Sequence, residues 1–377
     1  MAEKKDKIEH LDFDVYVQSG EPEQRERAYA WRTAIGLQAV DGLQVSNYLR
    51  TTARRNIEGE ITIDEARELI KTYYQTKAQR EPEDDAKQEA DRVSANITRI
   101  LSRQTLDFSA HGFIALHRRI FEGVLKHAGE VRQYDITKKE WVLRGDTVNY
   151  LNFEDVRRAL DYDISQERAF NYKGLLADEM VAHISKFVAG LWQIHPFGEG
   201  NTRTTAVFTI QYLRSIGFDV NNDLFAENSW YFRNALVRAN YKNIVKGIDY
   251  TPVYLERFFR NLLLGEKNEL RNRYLLINLS EDTPTSTPTS TPTSSIFSCN
   301  ENIQRLVKVV SLTQMSAREM MQAVGLKDRK NFFEYSLNPA IKDGFIALLY
   351  PDKPRHPRQK YLLTVKGLAL YHELNKD

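Results

Sequence analysis

The segment from residue 195 to residue 203 places a histidine, a carboxylate and an arginine close together in the chain. Its sequence is His-Pro-Phe-Gly-Glu-Gly-Asn-Thr-Arg. His195 could take a proton from an attacking hydroxyl group. Glu199 could hold Mg²⁺, which is usually bound by one or two carboxylates together with phosphate oxygens. With Arg203 as a fixed cation, this combination predicts a site for phosphoryl or nucleotidyl transfer.

Two apolar segments flank this run and must position it. Apolar residues recur at helical spacing between residues 175 and 194, and the segment 204–216 is apolar on almost every side, as in a helix at the centre of a bundle. Pro196 and Gly198 end the first helix, and the second begins at about residue 201. Its first N–H groups have no partner within the helix, so they form an anion site suited to a diphosphate.

Each of these residues has a structural explanation when it is taken alone. A histidine at a helix end is more often structural, and a glycine-rich turn before a helix is usually only a turn. The order and close spacing of the whole set favour a functional site. His183 lies too far from His195 for the i, i+4 spacing of a metal pair on one helix, so we interpret it as structural. We interpret His117 and His127 as packing or surface residues.

A β-hairpin is predicted upstream of the two helices. Apolar residues alternate from Gly129 to Ile136 and the pattern continues through 141–143, while Gly145 and Asp146 supply turn chemistry. Further helices are predicted at about 112–126, 153–169, 227–245 and 251–263.

The composition describes an ordinary globular chain. Its 377 residues suggest two or three domains. The 53 Lys and Arg residues nearly balance 51 Asp and Glu residues, which argues against wholesale nucleic-acid binding. Cys299 is the single cysteine, so a disulfide framework and a cysteine-based zinc site are excluded. We expect no secretory signal and no membrane span, and therefore a cytoplasmic protein.

A Thr/Pro/Ser repeat from residue 283 to residue 295 divides the chain. Such a tract has no apolar side chain to bury and stays extended. We therefore predict a helical N-terminal region over 1–95, a catalytic domain over 96–275, a linker over 276–297 and a small unit over 298–377.

The C-terminal unit has the pattern of a winged helix. A capping box at Ser316 and Glu319 opens one helix, and a second is predicted over 328–337. Two apolar segments then bracket a loop rich in Pro and Arg, as the strands of a wing would. Residues 301–377 hold 13 Lys and Arg against 8 Asp and Glu, which suits phosphate contacts. Winged helices also bind proteins, so DNA and protein partners both stay open.

The segment 195–203 resembles the signature of Fic-domain proteins, His-x-Phe-x-(Asp/Glu)-Gly-Asn-(Gly or other)-Arg-x-x-Arg. The resemblance extends over roughly residues 100–265 and includes the stretches 117–121, 128–132 and 230–236. It implies a mainly α fold, namely a Fic-type helical bundle with a β-hairpin flap, here followed by the winged-helix unit.

Fic enzymes typically move AMP from ATP onto a Ser, Thr or Tyr hydroxyl of a target protein. By resemblance, His195 would be the general base and Glu199 would hold Mg²⁺. A flap would align the target chain by strand addition. Tyr231 and Asn234 would lie near the adenosine, with bundle packing as the alternative. The implied nucleotide-binding residues are Phe197, Gly198, Gly200, Asn201, Thr202, Arg203, Tyr231 and Asn234. The implied flap residues are Lys138, Lys139, Glu140, Trp141 and Val142.

This chain departs from the family pattern at two points of the signature. Ala206 stands where the final arginine is expected, which removes a bidentate phosphate fork. Thr202 replaces a glycine, which is a smaller change. A weaker grip on ATP, or a different nucleotide, is therefore open.

A second resemblance concerns control. The segment 52–59, within a helix predicted at about 44–59, is similar to the inhibitory helix (Ser/Thr)-x-x-x-Glu-(Gly/Asn) of many Fic proteins and to their small antitoxin partners. Glu58 and Gly59 match, whereas Arg54 departs from the pattern. Either Glu58 opposes the γ-phosphate, through Arg203, or it is an exposed glutamate before a glycine that ends the helix.

Three functions follow from these observations. The first is a protein adenylyltransferase that uses ATP and Mg²⁺. The second is a DNA-binding regulator whose Fic body senses a nucleotide, and the third is the transfer of another phosphate-containing group or the removal of AMP. A target protein is the implied partner of the first, and a homo-oligomer stays open.

Overall fold

The computed structural model describes residues 13–77, 83–103, 105–220, 223–277, 300–310, 315–326, 328–349 and 359–375. The Thr/Pro/Ser tract of the predicted linker lies outside these residues. So do Lys327 and most of the predicted wing, including Lys353, Arg355 and Arg358.

Five α-helices lie in the described residues of the N-terminal segment. They are α1 (Asp14–Ser19), α2 (Pro22–Gly36), α3 (Asn47–Glu58), α4 (Ile63–Thr76) and α5 (Asp84–Leu101). A short 3-10 helix, Leu37–Asp41, continues α2. The predicted end of the helix at Gly59 is confirmed, because Gly59 ends α3 in the left-handed conformation. Thr62 then opens α4 with a capping box. Helix α5 runs through residue 95, so the predicted domain boundary falls inside a helix.

In the described ranges 105–220 and 223–277, seven α-helices form the central bundle. They are α6 (Ala110–Ile120), α7 (Val156–Ala169), α8 (Ala177–Ile194), α9 (Asn201–Ser215), α10 (Leu224–Glu227), α11 (Ser229–Ala239) and α12 (Val253–Leu264). Every residue of α9 from Asn201 to Leu213 is buried. This confirms the prediction of a central helix. Helices α6 and α11 end earlier than their apolar patterns suggested.

The predicted β-hairpin is not formed. No strand is found between residues 129 and 150, and the turn is a 3-10 helix at Trp141–Leu143. Val142 and Leu143 are adjacent in sequence and both fully buried, which a strand with alternating faces cannot achieve. The chain nevertheless doubles back, since the Glu140 amide donates to the Asp146 carbonyl at 2.9 Å. We call residues 136–147 the flap segment.

The N-terminal segment and the bundle share one hydrophobic core. Ala34 and Leu37 belong to the same buried cluster as Phe113 of α6 and Phe208 of α9, and so does Ile97 of α5. A second, smaller cluster joins α1 to α5 around the fully buried Trp31. The N-terminal segment is therefore part of the body and is not a separate appendage.

The C-terminal unit contains helices and two strands among its described residues. In chain order these are α13 (Glu301–Val310), α14 (Ala317–Ala323), α15 (Arg329–Phe332), α16 (Asn338–Lys342), β1 (Ile346–Leu348), β2 (Tyr361–Leu363) and α17 (Val365–Leu374). A π-helical turn, Phe333–Leu337, joins α15 to α16. The predicted capping box at Ser316 is confirmed.

Strands β1 and β2 pair in the antiparallel sense, with Ala347 opposite Leu362. The two apolar segments thus pair as expected, while the wing between them lies outside the described residues. Arg329 and Lys330 are exposed on α15, and the partner of this unit stays a prediction. Among the residues that the structure describes, we find no helix with the length and apolar character needed to cross a bilayer.

Candidate active site

His195 is the residue that ends α8, and its backbone is left-handed with φ of 49°. This conformation costs a residue with a side chain about 1–2 kcal/mol, and such strain is concentrated at functional sites. The ring nitrogen Nδ1 donates to the Trp192 carbonyl at 3.2 Å. This bond leaves Nε2 as the unprotonated nitrogen. Nε2 is buried and has no hydrogen-bond partner among the described residues.

The surroundings of His195 keep its imidazole neutral. Burial lowers its pKa well below the ordinary value, and the positive charge of Lys138 lowers the pKa further. The ring of Tyr150 lies 4.2 Å from the imidazole, measured between ring centroids. A neutral imidazole with a free Nε2 lone pair is the form that a general base requires.

Arg132 fixes the end of α8 on which His195 sits. Its buried guanidinium donates to the His195 carbonyl at 2.8 Å and to the Tyr134 carbonyl at 2.6 Å. It also donates to the carbonyls of Leu151 and Ile194. One cation therefore satisfies carbonyls that the end of α8 leaves without helical partners and ties them to the chain on either side of the flap segment.

The loop between α8 and α9 is closed by its own side chains. The side-chain amide of Asn201 accepts a hydrogen bond from the Phe197 N–H at 3.0 Å through its oxygen and donates one to the Phe197 carbonyl at 2.7 Å through its nitrogen. Gly200 adopts φ of 72°, and a Cβ atom there would lie 2.2 Å from the ring of Phe121. Thr202 accepts a hydrogen bond from the Trp192 indole at 3.0 Å. The loop has space for glycine alone at position 200.

His117 holds the same loop from α6. Its Nδ1 accepts from the Gly129 amide at 2.8 Å, and its Nε2 donates to the Glu199 carbonyl at 3.1 Å. The ring stacks on Phe197 with 3.7 Å between centroids. Burial lowers the pKa of His117 to about 4. These contacts agree with the interpretation of His117 as a packing residue. Its ring positions the carbonyl of Glu199.

The carboxylate of Glu199 is exposed at the tip of the loop, just before the N-terminus of α9. Among the described residues there is no cluster of three or more possible metal ligands. A site with one carboxylate fits Mg²⁺ completed by phosphate oxygens, and it does not fit zinc. Gly198 lies close to Tyr134, since a Cβ atom at position 198 would be 2.8 Å from the Tyr134 hydroxyl oxygen.

Arg203 is buried and is held by side chains from the N-terminal segment. It donates to Gln38 at 3.0 Å and to Glu89 at 2.8 Å. The Asp41 carboxylate lies 2.8 Å from Nε, although the angle is not that of a hydrogen bond. The guanidinium also lies over the ring of Phe121.

The flap segment brings charged residues close to His195. Burial lowers the pKa of Lys138, an effect that the carboxylates of Asp41 and Glu140 oppose. The buried Glu140 forms a two-pronged ion pair with Arg233, at 2.7 and 3.1 Å. Lys139, which lies between Lys138 and Glu140 in the chain, is exposed.

The next flap residues divide between solvent and core. The Trp141 side chain is 48% exposed, whereas Val142 is fully buried. The Val142 carbonyl accepts from the Ile277 amide at 3.1 Å, so the chain beyond the predicted boundary at residue 275 still belongs to the body.

Three residues predicted for the site do not contact His195, Glu199 or Arg203. Two of them are packed inside the bundle, and the third contacts another part of the N-terminal segment. Tyr231 is buried and donates to the Tyr254 carbonyl at 3.2 Å, and Asn234 is buried and donates to Asn272 at 2.8 Å. These contacts favour the alternative of bundle packing. Glu58 accepts a hydrogen bond from Tyr16. The partners of Arg203 come instead from other parts of the N-terminal segment, and inhibition by Glu58 stays a prediction.

Sequence reasoning missed four residues of the site. Arg132 stands in a stretch that carried the resemblance, but no role was assigned to it. Gln38, Asp41 and Glu89 lie outside that stretch, and no local pattern marks them. Only their contacts with Arg203, across 114 or more residues, place them in the site.

Residues 107–213 match the Fic/DOC family, and residues 301–364 match the C-terminal domain of proteins described as filamentation induced by cAMP protein Fic-like. The two matched segments lie on either side of the Thr/Pro/Ser tract. The protein adenylyltransferase VbhT of Bartonella schoenbuchensis is 28% identical over 108 residues, which make up 29% of this chain and 21% of that protein. The chain thus spans about a fifth of the length of this relative.

Two solved structures are similar at low identity. A Fic family protein from Desulfovibrio desulfuricans is 18% identical with a TM-score of 0.44, covering 93% of this chain and 90% of that one. The N-terminal Fic domain of a cell filamentation protein from Bartonella quintana is 19% identical with a TM-score of 0.38, covering 50% and 86%. At these TM-scores the similarity carries no weight for the arrangement of the elements.

Proposed function

We propose that this protein transfers AMP from ATP to a hydroxyl group of a Ser, Thr or Tyr residue in a target protein, with His195 as the general base. The observation that carries the proposal is the buried, unpartnered Nε2 of His195, whose ring is held in one tautomer by the Trp192 carbonyl. The Fic/DOC match over residues 107–213 supports the class of reaction.

The proposed reaction has one proton transfer at His195. The acceptor hydroxyl gives its proton to Nε2 as its oxygen forms a bond to the α-phosphorus. The bond between that phosphorus and the oxygen bridging to the β-phosphate breaks, and pyrophosphate leaves. Because its pKa lies well below the ordinary value, the imidazole is unprotonated at neutral pH, so the lone pair of Nε2 is open to the proton of the hydroxyl group.

The nucleotide would lie along the loop between α8 and α9. The first amides of α9 and its partial positive charge favour phosphate oxygens. Glu199 would hold Mg²⁺, which supplies neutralisation of the phosphate charge when it is bound. Ala206 offers no cation, so Arg203 is the one arginine of the family signature that this chain retains.

The target would bind along the flap segment. Residues 136–139 lie in neither a helix nor a turn and precede the exposed Trp141, and a backbone of this kind can pair with an incoming strand even where no hairpin has formed. The charge of Lys138 lowers the pKa of His195, which supports a binding position for the target close to the proposed base.

The proposal is tested by incubating the full chain with ATP, Mg²⁺ and a cell lysate, followed by mass spectrometry of the lysate proteins. We expect AMP-modified Ser, Thr or Tyr residues with the wild type and none with His195→Ala. His127→Ala is the matched control, because His127 is an exposed histidine beside Glu130 and this variant should retain the modification. Equal modification by wild type and His195→Ala would refute the role of the base.

A further inference from the structure

The guanidinium of Arg203 is already occupied by anions of the same chain. Among the described residues, its polar side-chain partners are Gln38, Asp41 and Glu89, and all of them lie outside the Fic/DOC match. Gln38 and Asp41 belong to the 3-10 helix that follows α2, and Glu89 belongs to α5. The N-terminal segment therefore reaches into the part of the site where the phosphates of the proposed nucleotide would be bound.

The charges at this point exceed what is needed to hold an arginine in place. One guanidinium faces two carboxylates, at 2.8 Å each, and Glu199 adds a third carboxylate in the neighbouring loop. Ala206 supplies no compensating cation. Lys138, whose charge interacts with Asp41 and Glu199, supplies one further cation. The three carboxylates still outnumber these two cations, so a polyphosphate approaching Arg203 meets a local excess of negative charge.

The carboxylates are far more accessible to water than the arginine that they hold. The side chain of Arg203 is 3% exposed, whereas those of Glu89 and Asp41 are 26% and 40% exposed. Both acids can therefore regain hydration when they leave, while Arg203 needs another anion in their place. An incoming phosphate group is such an anion, and arginine binds it with the same fork of N–H donors.

We propose that Asp41 and Glu89 stand in for nucleotide phosphates at Arg203, so that the N-terminal segment sets the affinity of the site for phosphate-containing ligands. The inference rests on the proposed function in that Arg203 is taken as a phosphate-binding residue. It differs from inhibition through Glu58, because Glu58 contacts Tyr16 whereas Asp41 and Glu89 contact the arginine itself.

The experiment uses the full chain and the double variant Asp41→Asn, Glu89→Gln. These amides keep the shape and a hydrogen-bond acceptor for Arg203 but remove both charges. Isothermal titration with inorganic pyrophosphate and with Mg²⁺·ATP measures the dissociation constants. We expect both ligands to bind about 5–150-fold more tightly to the double variant, the usual range for coupling between sites. Adenosine, which has no phosphate, should bind equally to the two proteins.

Two controls separate charge from folding. Glu68→Gln removes a carboxylate of the same segment that is paired with Lys71 at 3.0 Å, and it should leave pyrophosphate binding unchanged. The single variant Glu89→Gln provides a second measurement if the double variant has a lower Tm than the wild type. We expect it to bind pyrophosphate more tightly than the wild type, by a smaller factor than the double variant.

Weaker or unchanged pyrophosphate binding in the variants would overturn the inference, because it would show that the acids brace Arg203 instead of replacing phosphate. Failure of AMP transfer in the wild type leaves this readout intact, since pyrophosphate binding does not depend on the chemical step. The two proposals can therefore fail separately.

Discussion

The two buried histidines of the site are held in opposite tautomers. His195 donates from Nδ1 and presents an unprotonated Nε2, whereas His117 accepts at Nδ1 and donates from Nε2. A main-chain group defines the tautomer in each case. One ring is thereby left with a free lone pair for chemistry, and the other has both nitrogens committed to holding the loop.

His117 makes the stability of the protein depend on pH. Its pKa is about 4 in the folded state and near 6.5 in an exposed histidine, so the unfolded chain binds a proton more readily between these values. The free energy of unfolding should therefore fall, by up to about 3 kcal/mol, as the pH is lowered from 6.5 to 4.

This fall is measured by urea denaturation across that pH range. His117→Gln should be less stable at pH 7 but should lose less stability on acidification, while the exposed-site variant His127→Gln should follow the wild type. A pH dependence that is identical in the His117→Gln and wild-type proteins would contradict this role for burial.

Gly200 has both a positive φ and a neighbour in contact, and these two effects can be separated. Gly174 has a similar φ of 88° and nothing within 4 Å of the place where a Cβ atom would stand, whereas a Cβ atom at Gly200 would meet Phe121. We expect Gly174→Ala to cost about 1 kcal/mol of unfolding free energy. Gly200→Ala should cost about 1–3 kcal/mol more and should also abolish transfer. Equal costs in urea denaturation would show that the contact with Phe121 has no effect.

At this scale, the sequence predicts the residues whose roles are local. The run from 195 to 203 specifies a helix end, a turn and a helix start within a few residues, and the structure has all three. The partners of Arg203 and the role of Arg132 depend on contacts across long stretches of chain. Such contacts leave no periodic or motif signal in a single sequence.

At the scale of elements, the flap segment differs most from its prediction. Its apolar alternation favoured a hairpin, but Val142 and Leu143 are buried side by side in a 3-10 turn. Tertiary burial in the bundle outweighs the strand preference of the pattern. The turn is fixed to the body by Ile277, which a sequence-based interpretation of residues 129–146 could not include.

The flap also provides a direct comparison of binding with stability. Trp141→Ala should leave the free energy of unfolding unchanged within about 0.5 kcal/mol while raising the KM for the target protein about tenfold, because exposed tryptophans often dominate protein interfaces. Val142→Ala should lower the free energy of unfolding by about 2 kcal/mol. Steady-state kinetics and urea denaturation measure the two effects. A Trp141→Ala variant with an unchanged KM would remove this residue from the docking surface.

At the scale of the whole molecule, the N-terminal segment and the bundle cannot be separated along the predicted boundary. Helices α2 and α5 contribute side chains to the main core, and the 3-10 helix between α2 and α3 reaches Arg203. Composition identified the Thr/Pro/Ser tract as a division of the chain. It gave no sign that α5 crosses residue 95, because a helix shared by two packed regions has the same amphipathic pattern as any other.

This shared core predicts the behaviour of a shortened chain. A protein that begins at residue 105 would expose the apolar faces of α6 and α9 that are covered by α5 and by the 3-10 helix after α2. We expect it to lack a cooperative thermal transition in calorimetry, whereas the full chain should have one. A shortened chain that melts cooperatively near the wild-type temperature would contradict the shared core.

The most direct test of the central claim is the position of the transferred label. The full chain is incubated with its target and Mg²⁺, using ATP labelled either at the α-phosphate or at the γ-phosphate, in parallel with His195→Ala and His127→Ala. Transfer of AMP with His195 as the base predicts label from the α-position only, lost in His195→Ala and kept in His127→Ala. Label from the γ-position, or α-label that survives the loss of His195, would contradict the account.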